Sequence, residues 1–289
     1  MGHFDHILAP TKVRSFSPNM NSTIGNGSEV ILPTWLAQYE TVESITCGAL
    51  HTLVLTTNGR IFSCGFGETF ALGHGTVKTI PIFEEINYFK DKSLKINKIA
   101  AGTSHSGCIV NNHAYLWGTC GNYKALQFKT PTFIDYDLDV SNIVMGDFLT
   151  VFLNTKLEAF TMGENIDGQM GCPGSANLLP KKINIPHKID YIDCGLNHVI
   201  VLCNSRVFAW GSNRRGQIHP KNNQQFFESP IELTWIFDSL PLTIHCGPQT
   251  THLISKQPIE LSEKMSQEVS NYAVLKKEME NEKIYKKIG

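Results

Sequence analysis

The side chains of this 289-residue chain best suited to chemistry are three histidines and three cysteines, and they recur in one phrase. It reads Ile45-Thr-Cys-Gly-Ala-Leu-His51, Ile99-Ala-Ala-Gly-Thr-Ser-His105 and Ile192-Asp-Cys-Gly-Leu-Asn-His198. Imidazole can act as a general base or a metal ligand, and a thiolate as a nucleophile or a soft ligand. Cys47, Cys194 and Cys246 each precede a glycine. A ring of thiols around a metal is one reading of that pattern. The other is a small apolar slot in a strand, filled elsewhere by Ala101 and Met145, since free cysteine packs as a small hydrophobe. A catalytic or metal centre needs mixed residues meeting at one point, whereas His51, His105 and His198 hold one register in separate copies. They are read as structural, bonding neighbouring backbone.

Other chemistries lack their residues. There is no CxxC pair, no paired-carboxylate motif and no nucleophile with a base signature beside it. Gly163-Glu-Asn-Ile-Asp-Gly-Gln-Met-Gly171 lacks the Lys and Ser/Thr that end a phosphate loop, and no helical pattern follows it as a dinucleotide loop requires. His3, Asp5 and His6 sit on a terminus that makes a poor cage. The expectation is a chain that is not an enzyme, with no catalytic residue, cofactor or metal.

Composition narrows the partners. The 25 Lys+Arg against 26 Asp+Glu give a net charge of -1, which removes the simplest electrostatic warrant for nucleic acid. No run approaches the ~18 apolar residues of a membrane span, and residues 1–10 lack the basic start and apolar core of a signal peptide. Eight cysteines without disulfide spacing fit a reducing compartment. A cytoplasmic location without membrane contact is the expectation.

The elements that must position these residues come from the repeat itself. Its opening glycines are Gly48, Gly102, Gly146, Gly195 and Gly247, in steps of 54, 44, 49 and 52 residues. In the first copy His51-Thr-Leu-Val-Leu-Thr56 suits a strand buried on both faces. Asn58-Gly59 is a hairpin signal in which both residues accept positive φ, and Arg60 to Gly65 returns. Later copies turn at Asn111-Asn112, Asn154 and Asn204-Ser205, with second strands at 114–118, 157–163 and 207–211. A Gly-rich turn follows each, then an outer segment led by Pro81, Pro131, Pro180 or Pro230, as an edge strand tolerates. Four strands per copy, radially repeated, predict β-propeller blades.

The phrases Cys-Gly-x-x-His at 47–51 and 194–198, Ala-Gly-x-x-His at 101–105, Trp-Gly at 117–118 and 210–211, and Gly-Gln-Met-Gly at 168–171 resemble the regulator of chromosome condensation (RCC) repeat family. The resemblance covers most of residues 13–255. It implies an all-β propeller, and for some family members guanine-nucleotide exchange on a small GTPase. The family is usually seven-bladed, whereas this chain supplies five: about 41–95, 96–139, 140–188, 189–239, and 240–256 completed by 13–36. Phe16-Ser17 then falls where Met162-Gly163 stands, and Leu32 to Trp35 takes the outer-strand place. The N-terminal strands thereby close the ring within a propeller domain of residues 1–256, removing open edges.

Residues 257–289 differ in character. Leu261, Met265, Val269, Tyr272, Leu275 and Met279 recur at helical steps, predicting an amphipathic C-terminal α-helix. That stripe packs on the ring or docks on a partner. Phe226, Phe227 and Trp235, in the long stretch 217–243, are core residues of an outer strand or, where exposed, contact anchors. The functional expectation is a non-catalytic protein–protein interaction scaffold or structural subunit, of cytoskeletal or ciliary type. The alternative is a guanine-nucleotide exchange factor or regulator of a small GTPase.

Overall fold

A computed structural model describes residues 41–121, 127–234 and 243–254, together with the backbone of two short strands near the N-terminus. Those two, β1 (Ser22–Thr23) and β2 (Glu29–Val30), pair with each other. Four antiparallel meanders of four strands follow. Sheet one is β3 (Val42–Cys47), β4 (His51–Thr56), β5 (Ile61–Gly65) and β6 (Ile80–Glu85). Sheet two is β7 (Lys98–Ala101), β8 (His105–Val110), β9 (His113–Thr119) and β10 (Gln127–Phe133). Sheet three is β11 (Val140–Met145), β12 (Leu149–Asn154), β13 (Ala159–Gly163) and β14 (Asn177–Lys182). Sheet four is β15 (Tyr191–Cys194), β16 (His198–Cys203), β17 (Arg206–Ser212) and β18 (Phe226–Glu232). Sheet five consists, among the described residues, of β19 (Thr243–Gly247) and β20 (Thr250–Ile254). One short helix, α1 (Asn87–Asp91), follows β6 and buries Phe89.

The second strand of each four-stranded sheet is buried along its whole length. Alternate side chains point to opposite faces of a sheet, so total burial requires a neighbour on each side. The core clusters follow that logic. Leu53 and Leu55 of sheet one pack with Cys108, Val110 and Trp117 of sheet two. Ile109 and Leu116 pack with Ile143 and Phe152 of sheet three. Val151 and Leu153 pack with Val199, Val201 and Trp210 of sheet four. Ile200 and Leu202 pack with Ile244 of sheet five.

Two kinds of turn connect the second and third strands. Asn111-Asn112 and Asn204-Ser205 take positive φ at both residues (51° and 64°, 48° and 65°), the geometry that matches strand twist in a two-residue loop. Asn58-Gly59 does not: Gly59 alone is left-handed, at φ 75°. The loop is longer, with Gly59 N–H donating to Thr56 O and Thr56 N–H to Arg60 O. Sheet three repeats this longer loop with Leu157 (φ 61°) at the glycine position, so its third strand starts at Ala159 and not at Leu157 as the sequence suggested. Asn154 braces the loop from the strand end, its Oδ1 accepting from Lys156 N–H and Glu158 N–H.

Each third strand carries a glycine with positive φ at its last or next-to-last position: Gly65 (115°), Gly118 (93°), Gly163 (125°) and Gly211 (95°). A Cβ on Gly163 would lie 2.1 Å from Phe148 O. The outer strands carry Pro81, Pro131, Pro180 and Pro230, where a missing N–H costs no ladder bond.

The expected completion of sheet five by residues 13–36 falls largely outside the described residues, as does the expected helix at 257–289. Within 13–36 the described pairing is β1 with β2, and β2 lies beside β6.

Two substitutions probe these turns in opposite directions. Gly163→Ala should lower stability by about 2 kcal/mol or more, through both the φ penalty and the carbonyl clash. Leu157→Gly should raise it by about 1 kcal/mol by relieving a left-handed branched residue. Urea midpoints of the two variants against the parent check both signs.

Candidate interaction site: the sheet junctions and their loop face

Four of the five opening glycines draw adjacent sheets into backbone contact. A Cβ on Gly48 would lie 2.4 Å from Gly102 O, and one on Gly102 would lie 2.5 Å from Gly146 O. A Cβ on Gly146 would lie 2.4 Å from Leu196 O, and one on Gly195 would lie 2.5 Å from Gly247 O. Hydrogen bonds run along the same path: Thr103 N–H to Gly146 O (3.1 Å), Asp147 N–H to Leu196 O (2.7 Å) and Leu196 N–H to Pro248 O (3.0 Å). The first strands surround a cavity of about 780 Å³, lined by these glycines with Cys47, Asp147, Asp193, Cys194 and Cys246.

The three repeat histidines form the next layer. They bond side chains of the following sheet and not, as the sequence reading had it, backbone alone. His51 Nε2 lies 2.8 Å from Ser106 Oγ, His105 Nε2 3.1 Å from Thr150 Oγ1, and His198 Nε2 3.2 Å from Thr251 Oγ1. Ser106 Oγ donates in turn to Ala71 O at 2.8 Å, and Thr251 Oγ1 to Gln217 O at 2.8 Å. A hydroxyl whose proton is committed must accept from the ring, so His51 and His198 carry their proton on Nε2. Each hydroxyl directly follows the histidine register of its own copy. At the junction of sheets three and four both partners change together: Leu149 replaces the histidine and Val199 the hydroxyl, each fully buried.

Burial disarms these groups. It pulls His51, His105 and His198 down from the ordinary 6.5 to about 4, so each stays neutral near pH 7. It pushes the thiols of Cys64, Cys120 and Cys203 up to about 12, and raises Cys108 and Cys194 strongly. A thiol so raised is a poor nucleophile and a poor ligand. Asp193 is occupied by structure: its Oδ1 accepts from Cys194 N–H and its Oδ2 from Cys246 N–H, both at 2.9 Å. Among the described residues no group of three or more His, Cys, Asp or Glu is placed to hold a metal ion.

The loop face is organised by two asparagines to which the sequence alone assigned no bracing role. Asn165 and Asn213 each stand two residues after the positive-φ glycine of a third strand. Asn165 Nδ2 donates to Cys172 O (3.1 Å) and Gly174 O (2.7 Å), while its Oδ1 accepts from Met170 N–H (2.9 Å). Asn213 Nδ2 donates to His219, Asn222 and Gln224 carbonyls, and its Oδ1 accepts from Ile218 and His219 N–H. Their shared offset from Gly163 and Gly211 was the available signal. Arg214 then reaches Asp167 of the preceding sheet at 2.9 Å.

Of the expected contact residues, Phe227 is buried (6 % exposed) and packs with Ile200, Leu233 and Ile244 of the core. The anchor reading is therefore corrected for Phe227, whose ring faces inward because it pairs opposite Gly211. Phe226 is half-buried, opposite Ser212. Trp235 and the tail residues Leu261, Met265, Val269, Tyr272, Leu275 and Met279 lie outside the described residues. Exposed aliphatics occur instead at Ile166 on the loop face and at Leu178 and Leu179 on β14, at 67 %, 52 % and 59 %.

The histidine layer makes two predictions. Unfolded histidines take up protons near 6.5 while the folded ones resist to about 4, so stability is complete above 6.5 and falls as pH drops through that window. With three such groups the slope approaches about 4 kcal/mol per pH unit; urea midpoints at pH 7, 6 and 5 measure it, and a flat profile would contradict it. His105→Leu alone should cost about 2–3 kcal/mol, by leaving the Thr150 hydroxyl buried and unmatched. Adding Thr150→Val should recover most of that loss by copying Leu149 and Val199, which a double-mutant cycle reads directly.

The description "Regulator of chromosome condensation (RCC1) repeat" matches residues 58–109 and 158–202, and a second profile of the same description matches 42–68 and 189–217. The ultraviolet-B receptor UVR8 of Arabidopsis thaliana is 23 % identical over 253 residues, covering 81 % of this chain and 56 % of the receptor. The human X-linked retinitis pigmentosa GTPase regulator is 26 % identical over 267 residues, covering 88 % of this chain and 26 % of that protein. This chain thus spans little more than half of the one relative and about a quarter of the other. Among solved structures, yeast RCC1 (Prp20) bound to Kap60 superposes with a TM-score of 0.66 at 21 % identity, covering 74 % of this chain and 54 % of that one. Sheets of this order, joined at a repeated glycine and matched by these profiles, place the chain in the RCC1-repeat β-propeller family.

Proposed function

We propose that this chain is a non-catalytic interaction platform, a rigid ring wall whose loops and outer strands hold other proteins in a larger assembly. The observation that carries this reading is how the reactive groups are spent. His51, His105 and His198 are neutral and tied to neighbouring sheets, and buried thiols are held far from ionisation. Aliphatic side chains meanwhile face outward at Ile166, Leu178 and Leu179. Rigid scaffolds with functional loops are a recurring arrangement. On this reading the apolar stripe of residues 257–289 tethers the ring within a cytoplasmic assembly of cytoskeletal or ciliary type.

A second reading is regulation of a small GTPase. It rests on the resemblance to the retinitis pigmentosa GTPase regulator and on the fold shared with yeast RCC1, whose structure was described together with its binding to Gsp1p and histones. Both readings require a protein partner, and they separate on catalysis of nucleotide release.

Mixing the full chain with small GTPases loaded with labelled GDP should leave the release rate unchanged; accelerated release would replace the first reading with the second. Replacing Ile166, Leu178 and Leu179 together by Asp should weaken binding to the native complex at least tenfold, since exposed apolar anchors dominate such contacts. The melting temperature of the triple variant should stay unchanged, because these side chains lie outside the core.

A further inference from the structure

We propose that Cys172 is a site of reversible oxidation by hydrogen peroxide, where the oxygen of its sulfenic acid is held between the Thr161 hydroxyl and the Lys181 ammonium.

Sheets one and three build the same loop after the third strand. Phe66 N–H donates to Leu50 O, and Glu164 N–H to Phe148 O. Phe70 and Gly168 share a positive φ (61° and 69°), as do Gly73 and Gly171 (78° and 67°). Ala71 O and Gln169 O each accept from a tryptophan of the following sheet. On the outer strand Glu84 stands opposite Ser63, and Lys181 opposite Thr161. Counted from Gly65 and Gly163, His74 of the first loop therefore corresponds to Cys172 of the third. In sheet one the polar groups at these positions are matched. Ser63 Oγ donates to Leu72 O at 2.7 Å and so accepts from His74 Nε2–H at 2.9 Å.

In sheet three they are not. Thr161 is fully buried, at 0 % exposure, and its Oγ1 finds no hydrogen-bond partner among the described residues. A thiol ends where an imidazole ring would begin, so Cys172 falls short of the hydroxyl that His74 reaches from the same position. An unmatched buried hydroxyl is unfavourable, and one added acceptor atom relieves it. Opposed residues of a strand pair share a face, which puts Lys181 on the Thr161 side of the sheet. Its Nζ donates to Pro173 O at 3.1 Å and stands beside the Cys172 thiol. Burial raises that thiol, and the ammonium works against burial by favouring the thiolate. No cation does this for the fully buried Cys108. Cys172 is 9 % exposed, on the loop face, which leaves an opening for a molecule as small as peroxide.

The thiolate sulfur attacks one peroxide oxygen. The S–O bond forms, the O–O bond breaks, and hydroxide leaves and takes up the thiol proton as water. Sulfur loses two electrons and peroxide gains them. The added oxygen accepts from the Thr161 O–H and from the Lys181 ammonium. A dithiol returns the thiol, closing its own disulfide and releasing water.

The full chain, treated with hydrogen peroxide and then unfolded in dimedone, reports stored sulfenic acid by peptide mass. A Cys172 adduct is expected, and dithiothreitol added before unfolding should remove it. Thr161→Val and Lys181→Met should each lower that adduct at least about fivefold while leaving the adduct on the exposed Cys47 unchanged. In the reduced protein Thr161→Val should hold or raise the urea midpoint, because the hydroxyl has no bond to lose; after peroxide treatment the same variant should fall below the treated parent. Absence of a Cys172 adduct, an adduct unmoved by the two variants, or passage of Cys172 straight to sulfinic acid would each overturn the proposal. So would a lowered midpoint of reduced T161V, which would give the gap to an ordered water.

Discussion

Each of the four complete blades has two apolar faces, and neither can be left wet. His51–Thr56, His105–Val110, Leu149–Asn154 and His198–Cys203 are wholly buried strands. Uncovering one face of such a strand exposes two or three large side chains, each worth about 1.5–3 kcal/mol of burial. A single sheet of some thirty residues cannot offset its chain entropy with half its core in water. The blades therefore stand or fall as neighbours. The glycines at the sheet junctions exist because that neighbourliness requires backbones to approach more closely than any Cβ allows.

Polar chemistry is laid over this apolar constraint, and it serves the same end. A buried imidazole needs a partner, and a hydroxyl one sheet away provides it while donating its own O–H to a carbonyl of the sheet before. Such a relay fixes the angle between two sheets more tightly than side-chain packing can, because hydrogen bonds weaken steeply when misaligned. The groups that looked most like a reaction centre are thereby consumed in setting sheet geometry. What stays exposed lies on turns braced by Asn165 and Asn213 and on outer strands such as β14.

Much of this could be read from residue order. The spacing of Gly48, Gly102, Gly146, Gly195 and Gly247 marks the blades, and Pro81, Pro131, Pro180 and Pro230 mark the edge strands, because each answers a local backbone demand. The hydroxyl partners were harder to see. Ser106, Thr150 and Thr251 mean nothing within their own copy and acquire a role only when set against the histidine of the copy before. Asn58-Gly59 misled because a two-residue and a longer loop share the same dipeptide, and strand register, a property of the whole sheet, selects between them. Phe227 was ambiguous for a similar reason: its inward direction depends on pairing opposite Gly211 across a bulge. The exposed aliphatics were least legible, since Leu179 differs from a core leucine only in which way the strand turns it.

The apolar pair of Leu149 and Val199 gives the array an internal order of failure. The junctions on either side of it are held by imidazoles that protonation can break, while this one contains nothing to titrate. Acidification therefore acts on the wall unevenly. Sheets three and four would separate last, leaving a two-blade remnant as the final native fragment of a disassembling array.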